Sequence, residues 1–241
     1  MTACAAPQDS CRCFGETDVW IFDLDNTLYP AESNLFVQVA ERMNTYIEEL
    51  LDIDADAARQ IRRQYYLDYG TTLAGLMDRH GVCPDTFLDY VHDIDHSPLE
   101  HNEPLAAAIS VLPGRRFIFT NGSRRHAEQV AAKVGVLHLF EDIYDIKSAE
   151  YVPKPHRTAF DIFLKSHGVA PAGSAMFEDL PHNLETAHDL GMVTVLVTSP
   201  VGVHPSQREI GAWQRLPAHI HHVTEDLAGF LTGITPIAAA D

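Results

Sequence analysis

Val19-Trp20-Ile21-Phe22-Asp23-Leu24-Asp25-Asn26-Thr27 is the stretch on which the fold turns. Four consecutive large apolar residues are too few for a buried helix, and their β-branched and aromatic types read as a strand covered on both faces. Asp23 and Asp25 follow at once, two residues apart, so their carboxylates project from one side at the strand's carboxyl end. An acidic chain makes this spacing cheaply, and Asp52/Asp54, Asp54/Asp56 and Asp93/Asp95 share it. Only Asp23/Asp25 terminates an apolar strand run. The Asp52, Asp54, Asp56 series mimics the start of a calcium loop, but Ala57 stands where glycine is required and Arg63 where the bidentate glutamate belongs. It reads instead as a solvated helix start.

Moving outward, residues 117–120, 143–146, 175–178 and 192–197 are further short runs of the same texture. They read as buried parallel strands. Between them, residues 124–134, 156–167 and 181–190 have helical patterns, the last two closed by Gly168 and Gly191. Alternation of strand and helix predicts an α/β fold, a parallel sheet covered by helices on both faces. About ninety residues of different texture separate the first strand from the second. Phe36, Val39, Met43, Tyr46, Ile47 and Leu50 recur at helical spacing, as do Ala58, Ile61 and Tyr65, then Leu73, Leu76 and Met77, then Phe87 and Val91. This predicts an inserted, all-helical subdomain of about four helices, placed to lie over the carboxyl ends of the strands. The expected organisation is a flexible tail over residues 1–17, an α/β core over 18–30 and 110–241, and a helical cap over 31–109.

With 17 Lys and Arg against 34 Asp and Glu among 241 residues, the formal net charge is −17. That repels polyanions and argues against nucleic-acid polymers and anionic membranes as partners. An anionic substrate needs local help, such as a divalent cation. No run of apolar residues is long enough to span a membrane, and the N-terminus lacks the pattern of a secretory signal, so the expected location is the cytoplasm. Cys4, Cys11 and Cys13 crowd the start and Cys83 stands alone, which is no disulfide framework. His219, His221 and His222 alternate like a short strand and read as a solvated edge.

Three further features stand in order at the ends of later predicted strands: Thr120-Asn121-Gly122, Lys154-Pro155 and Glu178-Asp179. Singly, each has a bland reading as a turn, a surface lysine or a helix-start acid pair. Together with Asp23 and Asp25, four features in register at strand ends make a site. Thr120 and the backbone amides beside Asn121 and Gly122 can hold phosphate oxygens, and Lys154 supplies a point charge. Asp179 with Glu178 can hold a hard cation near Asp23.

Asp23-Leu-Asp-Asn-Thr-Leu-Tyr, Phe119-Thr-Asn-Gly, Lys154-Pro and Phe177-Glu-Asp-Leu-Pro-His-Asn resemble motifs I to IV of the haloacid dehalogenase-like (HAD) hydrolases. The resemblance runs from Asp18 to about Val197. Tyr66-Leu-Asp-Tyr-Gly-Thr-Thr-Leu-Ala-Gly-Leu, Val91-His-Asp-Ile-Asp-His and Tyr151-Val-Pro-Lys-Pro further resemble the pyrimidine 5′-nucleotidase branch. The resemblance implies a Rossmann-like, doubly wound core and a Mg²⁺-dependent phosphomonoester hydrolase acting through an aspartyl-phosphate. It assigns Asp23 as nucleophile and Asp25 as the acid that protonates the leaving alkoxide and then activates water. Mg²⁺ is implied on Asp23, the Asp25 carbonyl and Asp179, with either Glu178 or Asn183 reaching it. Thr120 and Lys154 are implied to stabilise the phosphoryl oxygens.

The expected partner is one small phosphomonoester, with pyrimidine nucleoside 5′-monophosphates favoured. Since the core motifs address phosphate and metal only, base recognition falls to the insert. Tyr66, Tyr69, Thr71, Thr72, His92 and Asp93 are its candidates, combining aromatic faces with donors and acceptors. The alternative is a phosphoglycolate-type or other small-metabolite phosphatase, and after it a non-catalytic phospho-ligand-binding regulator. A dehalogenase would act without Mg²⁺ and leave Asp25 without a role. A phosphomutase or phosphonate hydrolase of this fold more often has an apolar residue at Thr27.

Overall fold

The computed structural model describes residues 14–199 and 213–234. Cys4, Cys11 and Cys13 lie outside them. Strand β1 (Val19–Phe22) is followed by five helices: α1 (Leu35–Leu51), α2 (Ala55–Tyr69), α3 (Thr72–His80), α4 (Pro84–Val91) and α5 (Glu103–Ser110). Strand and helix then alternate as β2 (Arg115–Phe119), α6 (Arg124–Val134), β3 (Asp142–Tyr144), α7 (Arg157–His167), β4 (Ser174–Glu178), α8 (Asn183–Asp189) and β5 (Val193–Val197). The edge strand β6 (His222–Thr224) and α9 (Leu227–Ile234) complete the described chain. The six strands form one sheet in the order β3-β2-β1-β4-β5-β6, with every neighbouring pair parallel.

Period-two alternation explains why the strands read as unbroken apolar runs. In β1, Trp20 and Phe22 enter one core with Ile118, Phe177 and Val195, under Leu105 and Ile109 of α5, Val130 of α6 and Leu231 of α9. Val19 and Ile21 point the other way, into a core with Phe117, Phe119 and Met176, under Phe160 and Phe163 of α7 and Leu184 of α8. With both faces covered, neither set of alternate residues can be polar. Gly114 fits the chain's entry into β2. Its φ of +78° is open to glycine at little cost, and a Cβ there would lie 2.0 Å from the Asp18 carbonyl oxygen.

Helices α1 to α4 build a third apolar cluster of their own, with Val39 and Ile47 of α1, Ala58 of α2, Leu73 and Leu76 of α3, and Phe87 and Val91 of α4. Asp54 caps α2 by accepting from the Ala57 amide at 2.9 Å, which is the helix start read from the sequence. Ile146, on the segment after β3, joins this cluster, and Asp85 of α4 takes Lys147 at 2.7 Å and the Tyr151 hydroxyl at 2.8 Å. The apolar helix α5 instead packs under the sheet. Of the three C-terminal histidines read as a solvated edge strand, only His222 lies in β6, pairing with Val195; His219 sits in a turn before it, its Nε2 buried, and His221 Nδ1 accepts from the Thr194 amide at 3.0 Å. No helix among the described residues is long and apolar enough to cross a membrane.

This strand order reverses at β1: the chain winds out through β2 and β3, then returns to the other side through β4, β5 and β6. The crevice at the carboxyl ends of β1 and β4 is therefore where an open α/β sheet offers room for a ligand.

Candidate active site

Asp23 leaves the end of β1 beside β4, where its amide donates to the Phe177 carbonyl at 2.9 Å. Glu178 and Asp179 leave the end of β4 next door, so the parallel register alone brings three carboxylates together. Their oxygens lie within 4.8 Å of one another and all three residues are buried. Lys154 reaches in from the loop before α7, with only 1% of its surface exposed. Its ammonium donates to Asp23 Oδ1 at 2.6 Å, to Glu178 Oε1 at 2.9 Å and to the Phe119 carbonyl at 2.8 Å. Asn121 holds that loop from both sides, accepting from the Lys154 amide at 2.8 Å and donating to its carbonyl at 3.2 Å.

The electrostatics follow from this crowding. Burial raises Asp23 to about 7, with Lys154 opposing and Glu178 and Asp25 adding to the rise. Burial and the charges of Glu178 and Asp23 push Asp179 well above the usual carboxylate range. Glu178 goes the other way: burial is outweighed by Lys154, the Leu180 amide and Asn183, which hold it low. Burial alone would neutralise Lys154, but Asp23 and Glu178 keep it charged. Three buried carboxylates thus face one ammonium, an excess of negative charge in a dry site that suits a divalent cation.

The donor set is all hard oxygen, as Mg²⁺ requires. Glu178 is heavily engaged, since besides Lys154 it accepts from Asn183 Nδ2 at 2.6 Å and from the Leu180 amide at 2.6 Å. Asn183 Oδ1 is buried and has no hydrogen-bond partner among the described residues. Asn26, at φ 60°, takes the left-handed turn after β1 that asparagine tolerates, and its amide donates to Asp179 Oδ2 at 3.4 Å.

Asp25 faces a different environment. Its Oδ1 accepts from the Tyr29 hydroxyl at 2.7 Å and lies 2.9 Å from His126 Nε2. Burial is overcome by His126 and Tyr29, so Asp25 is held below the usual range. Burial and the neighbouring Asp25 push Tyr29 well up, which keeps it a phenol and a donor. The two acids are therefore driven apart, Asp23 up and Asp25 down, although only Leu24 separates them. Ser123 caps α6 and accepts from the His126 amide at 3.4 Å, which places His126 in the first turn beside Asp25. Thr120 is buried at the end of β2, and its hydroxyl oxygen accepts from the Gly122 amide at 2.9 Å.

The candidates in the insert fall into two groups. His92, at the end of α4, is brought to the site: its Nδ1 lies 2.9 Å from Ser123 Oγ and its ring stacks on His126 at 4.3 Å. Burial, with His126 opposing any charge, pushes it down to about 3, so it is a neutral ring. Tyr66, near the end of α2, meets the segment after β4, its hydroxyl 3.1 Å from His182 Nε2. Tyr69 packs edge-on against Tyr65 within the insert. Thr71 caps α3 through the Ala74 amide at 3.1 Å, and Thr72 Oγ1 donates to the Arg62 carbonyl at 3.4 Å. Asp93 is exposed and pairs with Arg42 at 3.6 Å. None of these four hydrogen-bonds or ion-pairs with the carboxylate cluster.

Sequence reasoning did not single out His126, Tyr29, Asn26 or His182. Tyr29 and Asn26 lie within the first motif itself. His126 carried one weak signal, its place three residues after a capping serine that follows a strand.

A family model for haloacid dehalogenase-like hydrolases matches residues 17–191, all of the elements just described from β1 to α8. The chain is 27% identical to Phosphate metabolism protein 8 of Saccharomyces cerevisiae, over 74% of this chain and 60% of that protein. It is 25% identical to the glyceraldehyde 3-phosphate phosphatase of Methanocaldococcus jannaschii, over 73% of this chain and 83% of that one. Among solved structures it resembles an L-2-haloacid dehalogenase from Xanthobacter autotrophicus with chloropropionic acid covalently bound, with TM-score 0.54 and 16% identity over 92% of this chain and all of the other. That last likeness is one of fold.

Proposed function

Since the chain belongs to the haloacid dehalogenase-like hydrolases, we propose that it hydrolyses phosphomonoesters through an aspartyl-phosphate on Asp23 with Mg²⁺ bound. The observation that carries this reading is the pairing of two carboxylates in opposite environments. Asp23 is clamped by Lys154 among buried acids, while Asp25 is held by His126 and Tyr29. Asp23 must be ionised to attack, which burial opposes; a cation held by the Asp23 and Asp179 carboxylates would supply the charge that restores its ionised form, with Asp25 anchored separately beside it.

Asp23, the Asp25 carbonyl and Asp179 would hold the cation, with Glu178 beside them and Asn183 Oδ1 an available oxygen. When bound, Mg²⁺ supplies positive charge that offsets repulsion between Asp23 and a phosphate dianion. Asp23 attacks phosphorus, and Asp25 gives its proton to the departing oxygen. Water then attacks the same phosphorus, Asp25 takes a proton back, and the bond to Asp23 breaks. Lys154, the Thr120 hydroxyl and the Asn121 backbone amide bear the charge of the transferring group, while the Gly122 amide holds the Thr120 oxygen in place.

Helices α1 to α4 act as a cap that chooses the leaving group. We assign pyrimidine nucleoside 5′-monophosphates as the preferred substrates, with Tyr66 and His92 the insert residues best placed to meet them. The name of the archaeal relative favours a second reading, a small phosphorylated metabolite such as phosphoglycolate or a triose phosphate. The test is kcat/KM for UMP, CMP, AMP, GMP, phosphoglycolate, glyceraldehyde 3-phosphate and sugar phosphates under one set of conditions. UMP or CMP should lead. A purine nucleotide or small metabolite preferred over both by tenfold or more overturns the substrate and leaves the phosphatase standing.

A further inference from the structure

We propose that His126 and Tyr29 are positioning residues that lock the Asp25 carboxylate by one oxygen, Oδ1, and so reserve Oδ2 for proton exchange. This rests on the phosphatase reading above. Both contacts of the Asp25 side chain, Tyr29 at 2.7 Å and His126 at 2.9 Å, fall on Oδ1, and Oδ2 has no hydrogen-bond partner among the described residues. A carboxylate left to itself rotates freely about its last bond. Two donors on the same oxygen, one from the turn after β1 and one from the first turn of α6, fix that rotation. They also fill Oδ1, so Oδ2 is the oxygen left open to exchange a proton.

The clamp is itself rigid. His126 is fully buried and Tyr29 is 3% exposed. The His126 ring lies nearly flat against His92, with 10° between the planes. His92 is in turn held by Ser123 Oγ, the cap of the helix that carries His126. Ser123, His92 and His126 therefore form a closed brace from α4 of the insert to α6 of the core. On the far side of the ring, His126 Nδ1 is buried with no partner among the described residues. An uncompensated buried nitrogen costs stability, and it persists here because the ring is held for what Nε2 does.

In the first step the bond from Asp23 to phosphorus forms, the bond to the leaving oxygen breaks, and the Oδ2 proton moves to that oxygen. In the second, water bonds to phosphorus, the Asp23–phosphorus bond breaks, and a water proton returns to Oδ2. A misaimed Oδ2 hurts most when the leaving group is a strong base that cannot depart unprotonated. Misplacement of a general acid by about 1 Å costs on the order of 10²-fold.

The experiment compares kcat/KM, which covers the steps up to Asp23 phosphorylation, on two esters. One is p-nitrophenyl phosphate, whose phenolate leaves readily. The other is the alkyl phosphate that the unaltered protein turns over best in the panel above. His126→Leu should lose on the order of 10²-fold on the alkyl ester and under tenfold on the aryl ester. His126→Gln, whose side-chain amide reaches as a donor, should recover most of the loss. Tyr29→Phe, which removes a single oxygen, should show the same asymmetry if His126→Leu does not fold. Equal losses on both esters, or no loss in a folded variant, would overturn the proposal, because a merely structural residue lowers both alike. Failure of the unaltered protein on every phosphomonoester would sink the phosphatase reading on which the proposal rests.

Discussion

Replacing Lys154 by methionine separates a catalytic ammonium from a surface lysine. The ammonium is 1% exposed and makes three contacts of 2.6 to 2.9 Å, two of them to carboxylates. Methionine fills similar space but leaves Asp23, Glu178 and Asp179 facing one another. Removing one partner of a buried ion pair costs about 3 to 5 kcal/mol. For a chain of this length that corresponds to a fall in Tm of roughly 10 °C. The orphaned carboxylates can escape part of the cost by taking up protons, so the fall should be larger at pH 8 than at pH 5.5. Added Mg²⁺ should return part of it by supplying charge to the same oxygens. Catalysis should suffer separately, with kcat/KM lower by on the order of 10²-fold or more even where the variant is fully folded. Thermal melts with and without chelator, and kinetics on p-nitrophenyl phosphate below the variant's Tm, read both effects. Lys147→Met is the control, since Lys147 pairs with Asp85 at the surface and should move stability by less than about 1 kcal/mol. Unchanged kinetics together with an unchanged Tm in Lys154→Met would refute the reasoning.

Activity should vanish with EDTA and return with Mg²⁺, while Ca²⁺, with its looser geometry, should support it poorly; full activity after exhaustive chelation would exclude a required cation. Asp23→Asn and Asp25→Asn should each lose on the order of 10⁴-fold in kcat with folding intact, and more than a tenth of normal activity in either would mean the roles are misassigned. The third concerns pH. Burial raises Asp23 from an ordinary 3.8 to about 7, so between these values the folded chain holds this proton more tightly than the unfolded chain. The group's contribution to stability is then greatest at the acid end and declines as pH rises from about 4 to 7. Chelated protein should lose Tm across that window more steeply than Asp23→Asn, and matching slopes would show that Asp23 is not the group responsible.

The sheet was legible because its strands are covered on both faces. Trp20 and Phe22 serve one core and Val19 and Ile21 the other, so the run admits no polar residue, and the acids that follow stand out sharply. Parallel register then carried the site, since strand ends that are far apart in sequence lie side by side. For the same reason Thr120 and Glu178 could be grouped from their order alone, whereas Lys154 does not end a strand as read but is brought in by the loop between β3 and α7, held by Asn121. The insert was legible as helices but not as a surface. Helical spacing places Tyr66 and Tyr69 three apart on α2, yet only the docked helix distinguishes the tyrosine that meets His182 from the one that packs on Tyr65. His126 was hidden by abundance, one of 14 histidines, on a helix whose first turn reads Arg124-Arg125-His126 and looks solvated. Its function depends on Asp25, 101 residues earlier, and no local pattern encodes that contact. Helix α5 escaped because Leu-Ala-Ala-Ala-Ile has no polar face to reveal a period, as befits a helix packed under the sheet.

The central claim is that Asp23 forms a bond to phosphorus. Rapid acid quenching of the protein during turnover of p-nitrophenyl phosphate with Mg²⁺, followed by proteolysis and mass spectrometry, tests it directly. The account predicts a phosphoryl group on the peptide that carries Asp23, lost on treatment with hydroxylamine and more abundant in Asp25→Asn, where water attack is slowed. Turnover in ¹⁸O-water should place the heavy oxygen in the released phosphate and not in the Asp23 carboxylate. An unmodified Asp23 in a protein that is turning over, or heavy oxygen accumulating in its carboxylate, would contradict it.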